Sequence, residues 1–381
     1  MPAASYDVLV IGAGIVGSAC AFRLAEQGLR VGVLEAATAP AMGSTGKSAA
    51  GVRVQFSTEA NIRLSWESIK EYAAFPELYG SDAGYRPVGY LFVVPENTWQ
   101  GHIAAVAVQR SVGVPVDVLT PSEAQRYARF DQTGVHGATY GPIDGVVDPH
   151  GITMTYLRMA RERGARLHVD AEMLSAKRRE GVWSVDTPRG RFEAPETVNA
   201  AGPWSRVVGQ RAGLTVPVDP FRRIVFMSGP LEGPHSYPLT IDLGSGFYFR
   251  SEGERLLMGR SNLAEPAGFN DAIDWGWLEP TMEAGIARFP WLENVTLDRR
   301  ASWTGYYEIT PDNNPVLGRP VGVDGWTNAC GFSGHGVQHA ATVGRLITEE
   351  LLNGRATTIN IDEFRIERFG RQAEAGERHI V

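Results

Sequence analysis

The chain has 381 residues, of which 43% are apolar and 21% charged, so it folds around a sizeable core and is no disordered protein. A formal net charge of −7 without a long basic run excludes a nucleic-acid binder, and no stretch nears the ~18 apolar residues of a membrane span. The two cysteines, Cys20 and Cys330, call for no disulfide, and no basic leader precedes the first strand-like run, so a cytoplasmic location is expected.

The chain opens as strand, turn, helix, strand. Residues 6–11 form a short apolar run suited to a buried parallel strand. Residues 18–27 carry Ala21, Leu24 and Ala25 at helical spacing, with Gly28 as the stop. Residues 29–34 resume a strand pattern, and 61–74 place Ile62, Trp66, Ile69 and Ala73 on one helical face. From about 75 to 148 the pattern is one of short alternating strands and turns. A helix follows over 152–163, with strands near 166–169, 183–186 and 197–201. Residues 221–303 again read as strands, with one helix around 280–288. A strand near 326–329 and a helix over 337–352, stopped by Gly354, end the pattern. The fold class expected is α/β, a Rossmann-type domain (1–75, 149–220, 304–370) interleaved with a β-rich antiparallel-sheet domain (76–148, 221–303). Residues 371–381 read as a frayed tail.

Gly12-Ala13-Gly14-Ile15-Val16-Gly17 is a G-x-G-x-x-G that follows a strand and opens a helix, the context that gives this pattern meaning. Its glycines permit a tight turn, close approach to a pyrophosphate, and close strand–helix packing. The helix N-terminus supplies free N–H groups. Glu35, 18 residues beyond Gly17, is placed to accept hydrogen bonds from a ribose. A dinucleotide is expected, but this fingerprint does not separate NAD from FAD. Three later segments favour FAD. The loop 43–51 (GSTGKSAAG) can donate from Thr45 and Ser48 while Lys47 offsets phosphate charge. Residues 199–204 turn tightly on Gly202, and Gly331-Phe332-Ser333-Gly334-His335-Gly336 leads into the last helix, whose positive end suits a reduced flavin.

With these motifs in this order, the chain resembles the FAD-dependent D-amino acid oxidase family, which includes glycine and sarcosine oxidases. Residues 44–56 and the run Tyr307-Glu308-Ile309-Thr310-Pro311-Asp312 look closest to β subunits of heteromeric sarcosine oxidases and proline dehydrogenases. The resemblance implies that Gly12, Gly14, Ile15, Val16, Gly17, Glu35 and Ala36 hold the adenosine diphosphate part, with Ser44, Thr45, Lys47 and Ser48 along the phosphates or flavin. Met173, in a strand-like run at 172–174, would present backbone to adenine. Ala201, Gly202, Trp204, Gly334, His335, Gly336 and Val337 would frame the isoalloxazine. The cysteine that carries FAD in monomeric sarcosine oxidase is replaced near residues 305–306, so the cofactor should be non-covalent. The carboxylate-binding arginine of glycine oxidase corresponds to Tyr307 or Glu308, and the oxygen-activating lysine has no counterpart, since lysine occurs only at Lys47, Lys70 and Lys177.

The reaction implied is oxidation of the C–N bond of a small amine or amino acid, with hydride passing to flavin N5. The electron acceptor would be a quinone, an electron carrier or O2, and partner subunits are a further implication of the resemblance. Arg53 and Arg250 are the candidates for holding a substrate carboxylate, each with a surface ion pair as the alternative, and Arg222 or Arg260 stand behind them. Tyr248, between Phe247 and Phe249, either points into a cleft or packs a sheet. Tyr306 or Tyr307 can face the flavin or pack the core, and His335 can hydrogen-bond beside the ring or serve the loop. His335 and His339 are spaced four apart but lack a third ligand, so no metal is expected. An NAD-linked oxidoreductase and a non-catalytic FAD-binding assembly protein are the competing readings.

Overall fold

The computed structural model describes residues 3–233, 235–370 and 376–377. A six-stranded sheet runs in the order Val316–Gly318, Trp326–Cys330, Glu196–Asn199, Val8–Ile11, Val31–Leu34, Arg166–His168. All its pairings are parallel except that of Val316–Gly318 with Trp326–Cys330. Its inner strands are buried along their whole length except at Glu196, as parallel strands covered on both faces must be. The helix Ile15–Glu26 lies between Pro149–Glu162 and Gly336–Asn353. Gly344 allows the last of these contacts, because a Cβ there would stand 2.8 Å from the Ala19 backbone.

The second sheet has eight strands, in the order Leu297–Ile309, Asp219–Ser228, Arg255–Gly259, Tyr248–Glu252, Leu239–Asp242, Tyr90–Pro95, Val135–Gly141, Asp117–Leu119. Only Leu239–Asp242 with Tyr90–Pro95 is parallel. Side-chain alternation decides what each face does. Phe247 and Phe249 are buried against Phe289, while Tyr248 between them points to the opposite face. The strand Leu297–Ile309 continues through the 303/304 boundary read from the sequence, so one element carries the chain from the outer sheet to the site.

Two local expectations differ from the structure. Residues 75–148 contain a 16-residue helix, Glu96–Ser111, where only strands and turns were expected. Its inward stripe is His102, Ala105, Val106 and Gln109, half of it polar, which hides the helical period from a hydrophobicity reading. Residues 172–174 are irregular rather than strand-like, although Met173 is buried. Of the tail 371–381, Glu377 is buried and accepts hydrogen bonds from the Ser57 and Thr58 N–H groups at the start of Glu59–Ala73. Apart from it and Gly376, the tail lies outside the described residues.

Candidate active site

A cavity of about 690 Å³ runs between the two sheets and joins nearly every segment singled out above. At one end the Gly12–Gly17 turn is closed by contacts that only glycine permits. Gly12 has φ +104°, and a Cβ on it would lie 2.5 Å from the Ala200 carbonyl oxygen. A Cβ on Gly17 would lie 2.1 Å from the Gly12 oxygen. The Glu35 carboxylate accepts from Ala13 N at 2.7 Å and Ala37 N at 2.8 Å, which holds it beside the turn. Thr45 Oγ1 accepts from Ile15 N at 3.0 Å, so the second loop folds onto the helix N-terminus. Val16, Ala36, Ser48, Met173, Ala201 and Gly202 also line this stretch. A groove with a glycine turn, a helix N-terminus and a ribose-facing carboxylate is what a dinucleotide such as FAD requires.

At the mouth, Ser44 Oγ donates to the Tyr306 carbonyl at 2.8 Å. Lys47 Nζ is 3.4 Å from Asp271, and Tyr306 hydrogen-bonds the same carboxylate at 3.1 Å. Lys47 therefore faces Asp271 here, an exposed pair of small energetic weight. Trp204 stacks on Phe269 with ring centroids 5.0 Å apart.

The other end is built from cations and phenols. Arg53 is buried; its guanidinium donates to the Gln55 carbonyl, lies 3.4 Å from His335 Nε2 and covers the Phe56 ring at 4.2 Å. Gln55 and Val54 are in turn held by the buried Asp144 carboxyl, which desolvation pushes up to about 7. Gln338 accepts from Arg53 N at 3.3 Å, and His335 is the N-cap residue of Gly336–Asn353.

The structure places Arg250 differently from the sequence reading. Its guanidinium donates to the Ala49 and Ser251 carbonyls and pairs with Glu252, and it is not part of the cavity wall. Arg222 is paired with Glu265, and Arg260 donates to Ser245 and Pro280 carbonyls. A residue that sequence reasoning missed stands in the wall instead: Arg223, whose guanidinium covers the Tyr307 ring at 5.0 Å and whose Nε has no hydrogen-bond partner among the described residues. Alternation along the strand was the available signal, since Arg222 and Arg223 must face opposite sides.

Tyr90, Tyr248 and Tyr307 also line the cavity, and burial raises all three pKa values, so the phenols remain protonated. The same burial lowers the pKa of Arg223 and Arg53, partly offset by these neighbours, without threatening their charge. Glu308 is a further ionisable wall residue. Its Oε2 accepts from Gly331 N at 2.8 Å, and desolvation pushes it up to about 7.

Comparison with known proteins agrees with this geometry. The FAD dependent oxidoreductase family profile matches residues 7–350. The FAD-dependent oxidoreductase domain-containing protein 1 of Bos taurus is 31% identical, the alignment covering 100% of this chain and 88% of that protein. The mitochondrial dimethylglycine dehydrogenase of Homo sapiens is 28% identical over 91% of this chain, which spans 42% of that longer protein. The crystal structure of L-proline dehydrogenase from P. horikoshii superposes with a TM-score of 0.89 at 28% identity, covering 97% of this chain and 99% of that one. With the family profile spanning almost the whole chain and the matching cavity between the six- and eight-stranded sheets, this protein belongs to the FAD-dependent oxidoreductase family of D-amino acid oxidase type.

Proposed function

We propose that this protein oxidises the C–N bond of a small amino acid or secondary amine, of the sarcosine, proline or glycine kind. One observation carries the reading: Arg223, whose Nε has no hydrogen-bond partner among the described residues, lines the cofactor cavity together with Tyr90, Tyr248 and Tyr307. A buried carboxylate needs a charge partner, and Arg223 offers one without first breaking an ion pair. The phenols, kept protonated, can orient the amine but cannot act as bases at neutral pH. The amine must therefore reach the site neutral or lose its proton to a group other than these phenols. FAD, when bound, supplies the hydride acceptor for the carbon next to nitrogen. Gly12, Gly14, Gly17 and Glu35 would hold its adenosine half, and Gly202, Gly334 and Gly336 would let backbone approach its ring.

An anaerobic screen of amino acids tests the reading: one of them should bleach the yellow holoenzyme, and a flavoprotein bleached by none would overturn it. With the best amine, turnover should be much faster with an artificial dye or quinone than with air alone. Superoxide formation is aided by a fixed cation, and the chain has no lysine beyond Lys177 to provide the usual one. Hydrogen peroxide formed at the dye-linked rate would make the protein an oxidase.

Two further outcomes concern the cofactor. Acid precipitation should release all the yellow colour into the supernatant, because no cysteine stands at residues 305–306; colour retained in the pellet would reveal a covalent bond. Glu35→Ala should weaken FAD binding by about 1.5–3 kcal/mol, roughly ten- to a hundredfold, through loss of charge-assisted hydrogen bonds. Equilibrium dialysis reads this directly, and unchanged retention would remove Glu35 from the ribose site.

A further inference from the structure

Three carboxylates line the cavity, Glu35, Glu172 and Glu308, and they are not equivalent. Glu35 is held by Ala13 N of the glycine turn and by Ala37 N, and Glu172 is paired with Arg211 at 2.7 Å. Glu308 lies toward the other end, below the N-terminus of Gly336–Asn353, and has no ion-pair partner among the described residues. One of its oxygens, Oε2, accepts from Gly331 N and stands 4.0 Å from where a Cβ on Gly202 would be. The other, Oε1, stands 3.7 Å from where a Cβ on Gly336 would be. The carboxyl, held by the Gly331 and Phe332 N–H groups, thus stands between two glycine turns, with Oε1 toward Gly336.

The titratable groups around it do not supply a counter-charge. Cys330 contributes a buried thiol whose pKa is raised, partly by Glu308 itself. His335 is turned to Arg53 and Phe56, and His339 to Phe56 and Phe332. Tyr306 is bonded to Asp271, and Tyr307 lies under Arg223. The Arg206–Asp219 and Arg368–Asp312 pairs are closed on themselves. A lone carboxylate in such a place is costly, and a protonated one that donates a hydrogen bond is not.

We propose that Glu308 is a proton-holding acid for the flavin: its carboxyl presents an O–H to the isoalloxazine edge facing the last helix and gains a proton when FAD is reduced. The inference rests on the FAD placement proposed above. The hydride delivers two electrons and one proton to FAD, leaving added negative charge on the ring. That charge makes an ionised Glu308 unfavourable, so its carboxylate takes one proton from solvent while nothing on it is oxidised or reduced. In the window where Glu308 is ionised beside oxidised FAD, reduction then takes up two protons per electron pair rather than one.

The test is a redox titration of the FAD-loaded protein against pH, comparing wild type with Glu308→Gln, which keeps an acceptor for Gly331 N. Wild type should take up as much as one more proton per electron pair than the variant at neutral to mildly alkaline pH. Equal proton counts would overturn the proposal. A second measurement needs no variant: the reduced-minus-oxidised infrared spectrum of wild type at about pH 8 should gain a protonated-carboxyl band. Bound FAD with no such band would sink the role of Glu308 alone, whereas protein that binds no FAD would sink the placement beneath it.

Discussion

A protein with Arg223 replaced by methionine should keep its FAD and show KM for its best amino acid raised at least tenfold. Truncating one partner of a buried, hydrogen-bonded charge pair costs about 2–5 kcal/mol, mostly from the unpaired carboxylate left behind. Among the described residues the Arg223 side chain makes no ion pair, its Nε has no hydrogen-bond partner, and Nη1 donates to the Arg222 carbonyl at 2.9 Å. Arg53→Met should behave differently. Arg53 holds the Gln55 carbonyl and faces His335, so its loss should disturb the flavin spectrum as well as KM. Arg250→Met should leave KM near wild type, since that guanidinium serves Ala49, Ser251 and Glu252. Steady-state kinetics with the flavin spectrum of each variant separates these outcomes, and an unchanged KM in Arg223→Met would place the carboxylate elsewhere.

Gly17→Ala should be the most damaging methyl group that can be added to the cofactor end. The new Cβ would meet the Gly12 carbonyl oxygen at 2.1 Å and the Ala200 side chain at 3.4 Å. Both neighbours belong to the turn and strand that form the groove, so neither can move without opening it. Overpacking of this kind costs about 1–3 kcal/mol of stability, and the displaced turn should lose FAD outright. Gly101→Ala is the control. Gly101 lies within Glu96–Ser111 with no atom near its hypothetical Cβ, and alanine there should stabilise by about 0.5–1 kcal/mol. Denaturant melts and the FAD-to-protein absorbance ratio report both effects; full FAD content in Gly17→Ala would contradict this account of the turn.

The competing NAD reading is answered by the family match over residues 7–350 and by the way Thr45, Gly202 and Gly334 gather on one cavity. These segments are far apart in the chain. What joins them is the parallel order of Trp326–Cys330, Glu196–Asn199, Val8–Ile11 and Val31–Leu34, which brings the loops after each strand to the same end of the sheet.

Much of the cofactor end was legible in the sequence because its chemistry is local. A glycine turn between a buried strand and a helix, with an acid at the next strand's end, is specified by neighbouring residues. Met173, Trp204 and His335 were added by resemblance, and all three line the cavity. The reacting end is different, because it is assembled from side chains on separate strands. Arg250 and Arg223 are both arginines on strands of the same sheet, and only register and pleat decide which one reaches the cavity. Tyr306 and Tyr307 are neighbours whose hydroxyls part, one to Asp271 at the mouth and one inward beside Arg223. The sequence by itself determined the dinucleotide turn, the two-sheet plan and the flavin-type loops, because each rests on short-range pattern. Only the tertiary structure decided which cation stays unpaired among the described residues, which phenols line the cavity and that Glu308 stands there with no counter-ion among those residues, because burial and partner choice are properties of the packed chain.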